Sequence, residues 1–486
     1  MSESSLILIS PYSRRVAKLN KTTPNTEMKK TALLLLASAS YGLAGTPAAT
    51  PAAPAPLPPP GYAPITFLDG KLTVDFQEKM RFEARENNFD FNNAVNGPQD
   101  ASWLLQRFRL GLGYAVTPWF KLYVQGQDVR ELGGSRANNI GEANSFATEG
   151  DDNFDILKAY VQLGDIKKGF SATVGRQFLA YGDQRLVGPL EWLNQARTFD
   201  AIKLRYAGAS FALDVFTSSP VSFENNKWNT SQVFDGNNAQ DSVFSGIYLA
   251  TQWVPINTTT DFYVFHQGNQ GVRDLDSSYF TFGTLWKGDP KKLNGFDYSM
   301  EMAYQSGEVL GRDLSAFAGN WGFGYNIDHA WKPRIGVQYN YATGDDNAAD
   351  ADINSFQNLY PTNHLFYGFM DTTAWSNMQN PQLNLSIQPT KKLKLSLDYH
   401  LYWNADNSDG WRRVNNVTEV RNNGRASSKF RGQEIDLIAT YKYNPHVGFQ
   451  AGYCYFLPGD YLTESPTRTG GDDSAHFAYM QVQIDF

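Results

Sequence analysis

FAYMQVQIDF, Phe477 to Phe486, places Ala478, Met480, Val482, Ile484 and Phe486 on one parity and Tyr479, Gln481, Gln483 and Asp485 on the other. Strict alternation of this kind marks a β-strand whose two faces meet different surroundings. In water, a chain finishing on such a strand with a large apolar ring would leave a sheet edge open to aggregation. The same pattern recurs far upstream. KLTVDFQEKMRFEAR (71–85) opposes Leu72, Val74, Phe76, Met80, Phe82 and Ala84 to a charged and polar row, with only Glu78 out of step. KLKLSLDYHLYW (392–403) does likewise with Leu393, Leu395, Leu397, Tyr399, Leu401 and Trp403. Such strands exceed the five or six residues, roughly, that are usual in soluble sheets.

The composition alone describes a large soluble protein, with 42% hydrophobic and 19% charged residues among 486. Against that stand 41 Gly, 26 Tyr, 32 Phe and 11 Trp, an aromatic share of 14% that suits the interface girdles of a membrane barrel. No apolar run of about 18 residues follows residue 60, which excludes a helical membrane protein. Residues 1–44 read as an N-terminal extension plus a secretory signal: Met28-Lys29-Lys30, the apolar TALLLLASAS, then small residues with cleavage near Ala44, Met28 being the expected start. Removing that segment, with its six basic and two acidic residues, takes the net charge from -7 to -11. Residues 45–64 form a Pro/Ala-rich periplasmic spacer, extended and unable to build a core. The single Cys454 excludes an internal disulfide framework.

From residue 65 to 486 the period-two segments number 18, from 71–86 to 475–486. The gaps are as informative as the strands. Those at 117–118, 207–210, 389–391 and 444–446 are tight, whereas 129–153, 218–243, 342–379 and 404–431 are long and rich in Asn, Asp and Gly. Long and short gaps alternate, with the weakest contrast at 268–332. Consecutive hairpins of an up-and-down barrel open to opposite rims, so one rim carries all the long loops. The expected fold is all-β, a transmembrane antiparallel up-and-down β-barrel of 18 strands with both termini periplasmic, in a bacterial outer membrane. The last strand pairs with the first near Lys71, and Phe486 serves as an assembly signal whose deletion should impair insertion but not secretion.

Catalytic patterns are lacking. The six histidines show no metal-ligand spacing, and no nucleophile elbow or phosphate loop is present. Asp345, Asp346, Asp350 and Asp352 in GDDNAADAD are weak metal candidates and read better as a solvated loop. The polar parity carries Arg81, Arg85, Arg107, Arg109, Lys203, Arg205 and Arg334, which should project into the lumen and could hand a polyanion from one guanidinium to the next. The bland alternative is that they brace the wall against Asp75, Glu83, Asp214, Asp297, Glu301, Asp398, Glu434 and Asp436. One segment is out of phase. The parity of Phe170, Ala172 and Val174 would turn Arg176 toward lipid, unless Gly175 is a bulge or the strand has reached the rim.

Several stretches resemble the alginate export family of outer-membrane proteins: GRQ (175–177), YGDQRLVG (181–188), the segment from Trp192 to Asp200, INSFQNLYPTNHLFYGFMD (353–371), GQEIDLIATYKY (432–443), FLPGDYL (456–462) and the final strand. The resemblance implies an 18-stranded monomeric porin with an arginine-rich constriction for an anionic exopolysaccharide. It makes Arg176, Gln177, Asp183, Arg185 and Arg197 candidates for that constriction or its support, and Asn363 and His364 candidates for a loop folded near the pore. With Asp398 and Glu434 these complete the pore-lining set. The expected function is passive passage of a hydrophilic anionic polysaccharide, without enzymatic activity and without a cofactor. Expected partners are outer-membrane lipid, the polysaccharide or oligosaccharide, the barrel assembly machinery and periplasmic export proteins, but no nucleic acid. The alternatives are a general or small-solute uptake porin on the same scaffold, and a barrel enzyme or adhesin.

Overall fold

The computed structural model describes residues 64–87, 91, 101–133, 152–223, 228–231, 241–269, 276–347, 349–414, 418–420, 428–464 and 472–486. The expected leader and nearly all of the spacer lie outside these residues. The barrel strands are β1 (Leu72–Glu86), β2 (Ala101–Thr117), β3 (Phe120–Leu132), β4 (Asp152–Asp165), β5 (Lys168–Gln177), β6 (Phe199–Ala207), β7 (Phe211–Ser222), β8 (Ser242–Thr251) and β9 (Asn257–Asn269). They continue with β10 (Ser277–Gly288), β11 (Phe296–Val309), β12 (Arg312–Asn326), β13 (Arg334–Ala342), β14 (Met378–Ile387), β15 (Leu393–Trp403), β16 (Phe430–Lys442), β17 (Val447–Pro458) and β18 (Ala475–Asp485). Each pairs antiparallel with the next, and β1 pairs with β18 from Gln77↔Asp485 to Glu86↔His476, which closes the ring of 18. Closure pairs each of these 18 strands on both sides, the condition for sheet in hydrocarbon.

The two parities separate as the two surroundings demand. On β1, Met80 and Phe82 are 40% and 47% exposed while Arg81 and Glu83 are fully buried. On β18, Met480 is 68% exposed and Tyr479 only 2%. Apolar side chains therefore face outward to lipid and the polar row faces a lumen lined by other side chains. At the end of β18, Phe76 and Phe486 exchange backbone hydrogen bonds of 2.8 and 2.9 Å. The Phe486 ring stacks on His446 at 4.6 Å.

That placement is testable at Leu204 of β6, exposed between Ile202 and Tyr206 on the outer face. An arginine facing lipid near the midplane costs about 2–4 kcal/mol. Leu204→Arg is expected to lower the amount of inserted, heat-modifiable barrel seen on a gel, whereas Leu204→Phe should insert like the parent. Equal insertion of both variants would contradict the outward orientation.

The middle of the chain departs from the simple alternation of gap lengths. Between β11 and β12 the connection is only Leu310 and Gly311, with φ of 51° and 76°. Two consecutive positive φ values make a tight two-residue hairpin, whose second position suits glycine. This two-residue turn lies on the rim that elsewhere carries the long loops, while 289–295 and 327–333 on the opposite rim are longer. Strands β7, β11 and β12 also run further than their apolar pattern, because polar residues continue the ladder past the membrane-facing segment.

Arg176 does face outward. The register of β5 with β4 and β6 runs unbroken through Gly175, so there is no bulge. Gly175 has φ of 121°, and a Cβ there would stand 2.3 Å from the Ala159 carbonyl oxygen. The charge is met at the rim by Asp200, directly opposite on β6, with Nε to Oδ1 at 2.9 Å and Nη2 to Oδ2 at 3.1 Å. The Ile156 and Asn229 carbonyls accept from the same guanidinium. The expectation that Arg176 lines the pore is corrected accordingly: it belongs to the outer rim, where a paired arginine escapes the cost of hydrocarbon.

Candidate pore constriction

Two loops from the long-loop rim turn inward and meet. Segment 178–198 joins β5 to β6, and segment 343–377 joins β13 to β14. Gly188 N donates to Tyr360 O (2.7 Å), Tyr360 N to Leu186 O (2.8 Å) and Thr362 N to Gln184 O (2.8 Å), a short ladder between loops. Leu186, Val187, Phe356, Tyr367, Met370 and Trp375 bury themselves in one hydrophobic cluster inside the barrel. Burying this many apolar side chains anchors both loops by the same effect that builds a soluble core.

On one wall the inward-facing row is cationic. Lys79 and Arg107 are direct cross-strand partners on β1 and β2, and Arg109 stands opposite Gln77. Like charges directly opposite destabilise a sheet unless an anion intervenes. Glu191 of the first loop supplies it: Arg109 Nη1 donates to its Oε2 and Oε1 at 2.9 and 3.1 Å, and Arg107 Nη2 to Oε2 at 3.1 Å. The loop's carbonyls take up further donors. Lys79 Nζ reaches Glu191 O (3.1 Å), Arg81 Nη1 reaches Trp192 O (2.6 Å) and Arg107 Nη1 reaches Leu193 O (3.2 Å). Lys158 of β4 extends the row and lies 4.3 Å from the centroid of the Phe178 ring. Burial by itself would raise the Glu191 carboxyl, but Arg109 and Arg107, then Lys158 and Lys79, outweigh it and bring it from 4.5 to about 2. The docking this charge supports is thus fully present above the ordinary carboxylate range and is lost only as pH falls through about 2.

Three strands along the wall from β1, through β18 and β17, carboxylates hold the second loop by its backbone. Met370 N donates to Glu434 Oε1 (2.9 Å) and Phe369 N to Asp436 Oδ2 (3.1 Å), both acids projecting from β16. Tyr402 OH donates to the second oxygen of Glu434 at 3.2 Å. Between these two anchorages the loops touch through rings. Trp192 stacks on His364 with centroids 3.7 Å apart and planes 13° apart, and the Arg81 guanidinium caps the other side at 3.8 Å. His364 Nδ1 pairs with Asp371 at 3.0 Å. The nearby Asn363 Nδ2 donates to Val414 O at 2.9 Å.

Toward the short-turn rim, a cavity of about 490 Å³ opens beneath the loops, lined by Asp183, Arg185, Lys287, Asp297, Arg334, Phe366, Phe369, Asp398 and His400 among others. Asp183 pairs with Lys287 at 2.5 Å, and Arg334 with Asp297 at 2.6 Å. Arg185 lies flat over Phe366 at 4.0 Å and donates to neutral oxygens of Asn340, Gln338 and the Tyr367 hydroxyl at 3.4–3.5 Å. Asp398 accepts from Asn384 Nδ2 at 2.5 Å.

The other sequence-expected residues are placed as follows. Arg81 and Arg85 both bind Glu83, at 2.6 and 3.2 Å, and Arg205 binds Asp214 at 2.9 Å, so these are braced within the wall. Lys203 lies on the inner face of β6, in the same row as Arg205. Gln177 donates to the carbonyls of Thr173, Gly175 and Ala201 and supports the wall where β5 ends. Arg197 ties the two loops through Gly188 O and Pro361 O, both at 3.0 Å. Of the acidic loop residues, Asp345 and Asp350 turn to Arg312 at 3.4 and 3.6 Å, and the Asp352 carbonyl accepts from the same guanidinium. Asp346 accepts from Asn354 at 3.4 Å. Among the described residues no group of three or more His, Cys, Asp or Glu is arranged to hold a metal ion. Sequence reasoning missed Lys79, Lys158, Glu191 and Trp192. Lys79 shares the parity of Arg81 and was legible; Glu191 and Trp192 stand in a turn-rich loop where no periodicity directs them.

A closed outer-membrane barrel, a polar lumen and loops folded into it together define a porin-like channel. The chain belongs to the alginate export family, whose model matches residues 71–475. No match is found among curated proteins. Among solved structures it is similar to OpdK of Pseudomonas aeruginosa, an outer membrane protein, with 12% identity over 86% of this chain and 100% of that one and a TM-score of 0.58. It is similar also to OccK5 (OpdH) of the same organism, with 13% identity over 87% and 99% and a TM-score of 0.55. A structure of P. aeruginosa OpdK with vanillate matches at 10% identity over 85% and 98%, with a TM-score of 0.55. At such identities the likeness concerns the fold alone.

Proposed function

We propose that the channel passes an anionic polysaccharide or oligosaccharide of the uronate kind, alginate-like, by passive diffusion. The observation that carries this reading is the cluster of Lys79, Arg107, Arg109 and Lys158 around the single carboxylate of Glu191. Guanidinium forks match carboxylates in bidentate fashion, and closely spaced forks lower the barrier to passage without a deep well. Phe366 and Phe369 in the cavity below offer apolar faces for sugar rings, beside hydroxyl-binding Gln382, Asn384 and Asp398. Barrel assembly factors and periplasmic export proteins are the further partners this reading calls for, with the chain acting as a monomer.

The test is conductance across planar bilayers. Oligogalacturonate added on the side of the short turns should block the current at concentrations where a neutral maltodextrin of equal length does not. Equal block by both would overturn the reading. A second reading, uptake of small carboxylates, is favoured by the crossing of the two loops, which narrows the lumen, and by the vanillate bound in the OpdK structure. Measurable flux of a monocarboxylate such as benzoate without any polyuronate block would select it.

A further inference from the structure

The geometry points to Glu191 as an internal stand-in for the substrate: its carboxylate occupies the seat that a uronate carboxylate must take, and it sets the threshold for entry. This rests on the anionic-glycan reading and deepens it. The seat is built by the wall. Lys79 and Arg107 face each other across β1 and β2, with Arg109 two residues along from Arg107, an arrangement that needs a counter-anion to be tolerable. The carboxylate in contact is delivered by a loop, while the strand carboxylates Asp485 and Asp75 act on Arg107 and Lys158 without an ion-pair contact. The Glu191 side chain is 33% exposed, so a solute in the lumen can reach it, while the arginines it joins are only 2% and 4% exposed.

The seat is also incompletely filled. Two buried nitrogens, Arg107 Nε and Arg109 Nη2, have no hydrogen-bond partner. A second carboxylate arriving at the same forks would take over the Nη donors that Glu191 releases as it moves aside into the lumen, next to these two buried nitrogens. Exchange of one carboxylate for another leaves the net charge of the seat unchanged, so neither partner passes through a state with the cations bare. The cost of entry is then the small difference between two similar interactions instead of the full cost of stripping an ion pair. The carbonyls of Glu191, Trp192 and Leu193 rest on the same cations, so departure of this segment frees the donors of Lys79, Arg81 and Arg107 together. A neutral sugar, with no charge to offer, leaves Glu191 where it is.

The experiment uses the full-length protein in planar bilayers, with folding checked by heat-modifiable migration. Glu191→Gln should raise the chloride-to-potassium permeability ratio, read from the reversal potential in a salt gradient, by several-fold. It should also strengthen block by oligogalacturonate by about tenfold, because the competitor has gone. Glu191→Asp keeps the charge and shortens the reach, so both quantities should fall between parent and Glu191→Gln. This variant gives the reading even where the amide variant does not insert. An unchanged permeability ratio together with unchanged block overturns the stand-in role. A raised ratio with no polyuronate block in either protein supports Glu191 as the internal counter-anion and overturns the uronate reading instead.

Discussion

Replacing Arg107 and Arg109 together by serine is expected to abolish the anion preference of the channel. The two guanidinium groups are the cations that Glu191 contacts directly, at 2.9–3.1 Å, and both lie on the inner face of β2. A unit charge acts on another at 4 Å with about 1 kcal/mol in water and several times that beside a low-dielectric wall. Removing two of them therefore withdraws at least about 2 kcal/mol from an anion at contact, before screening by salt. The chloride-to-potassium permeability ratio should fall by about tenfold or more, and oligogalacturonate block should vanish. The measurement is the reversal potential at low ionic strength, where screening is weakest. Arg205→Ser provides the contrast, because Arg205 is already neutralised by Asp214 in the wall. A comparable loss from Arg205→Ser would mean that selectivity is set by total luminal charge and not by the β1–β2–β4 cluster.

The contrast between those two arginines shows where sequence reading succeeds and where it stops. The period-two pattern arises because each strand separates lipid from a polar lumen, so a one-residue slip would expose every side chain to the wrong medium. That constraint is local and strong, and strand number, closure and the inward direction of Arg81, Arg107, Arg109 and Arg205 could all be read from it. For Arg176 the parity pointed outward and the rim alternative holds, because hydrocarbon no longer penalises a charge there; what failed is the pore role that the family resemblance implied. What a given luminal arginine does depends on its partner. Asp214 lies in β7, the strand next to β6, and could be paired with Arg205 from register. Glu191 comes from a loop whose position is fixed by contacts such as Leu190 N to Thr362 Oγ1, across 172 residues. No periodicity encodes such a contact, and the clue that remained was indirect: Lys79 opposite Arg107 requires an anion from somewhere.

Excising residues 357–376 is expected to raise single-channel conductance several-fold while preserving the barrel. The chain can tolerate the cut because Phe356 N and Asn377 N both donate to the carbonyl of Thr343, at 3.1 and 3.0 Å, so the segment leaves and returns at one point. Two or three glycines, each spanning at most about 3.6 Å, bridge that gap without disturbing the Ala342↔Met378 pairing of β13 and β14. The excision removes the Trp192–His364 stack, the Phe366 ring beneath Arg185 and the amides of Phe369 and Met370. Those last two are the donors to Asp436 and Glu434, and stripping buried carboxylates of their partners would strain the wall. The excision is therefore combined with Glu434→Gln and Asp436→Asn, which keep the shape and remove the charge. A barrel of 16 to 18 strands, roughly, has room for an aqueous channel, so the resistance of the parent should reside in the crossing loops. Conductance close to that of the parent would place it elsewhere. Anion preference should survive the same excision, because Lys79, Arg107, Arg109 and Lys158 stand on strands that the cut does not touch. Width and charge selectivity would then be separable properties, the first belonging to the second inward loop and the second to the cations of β1, β2 and β4.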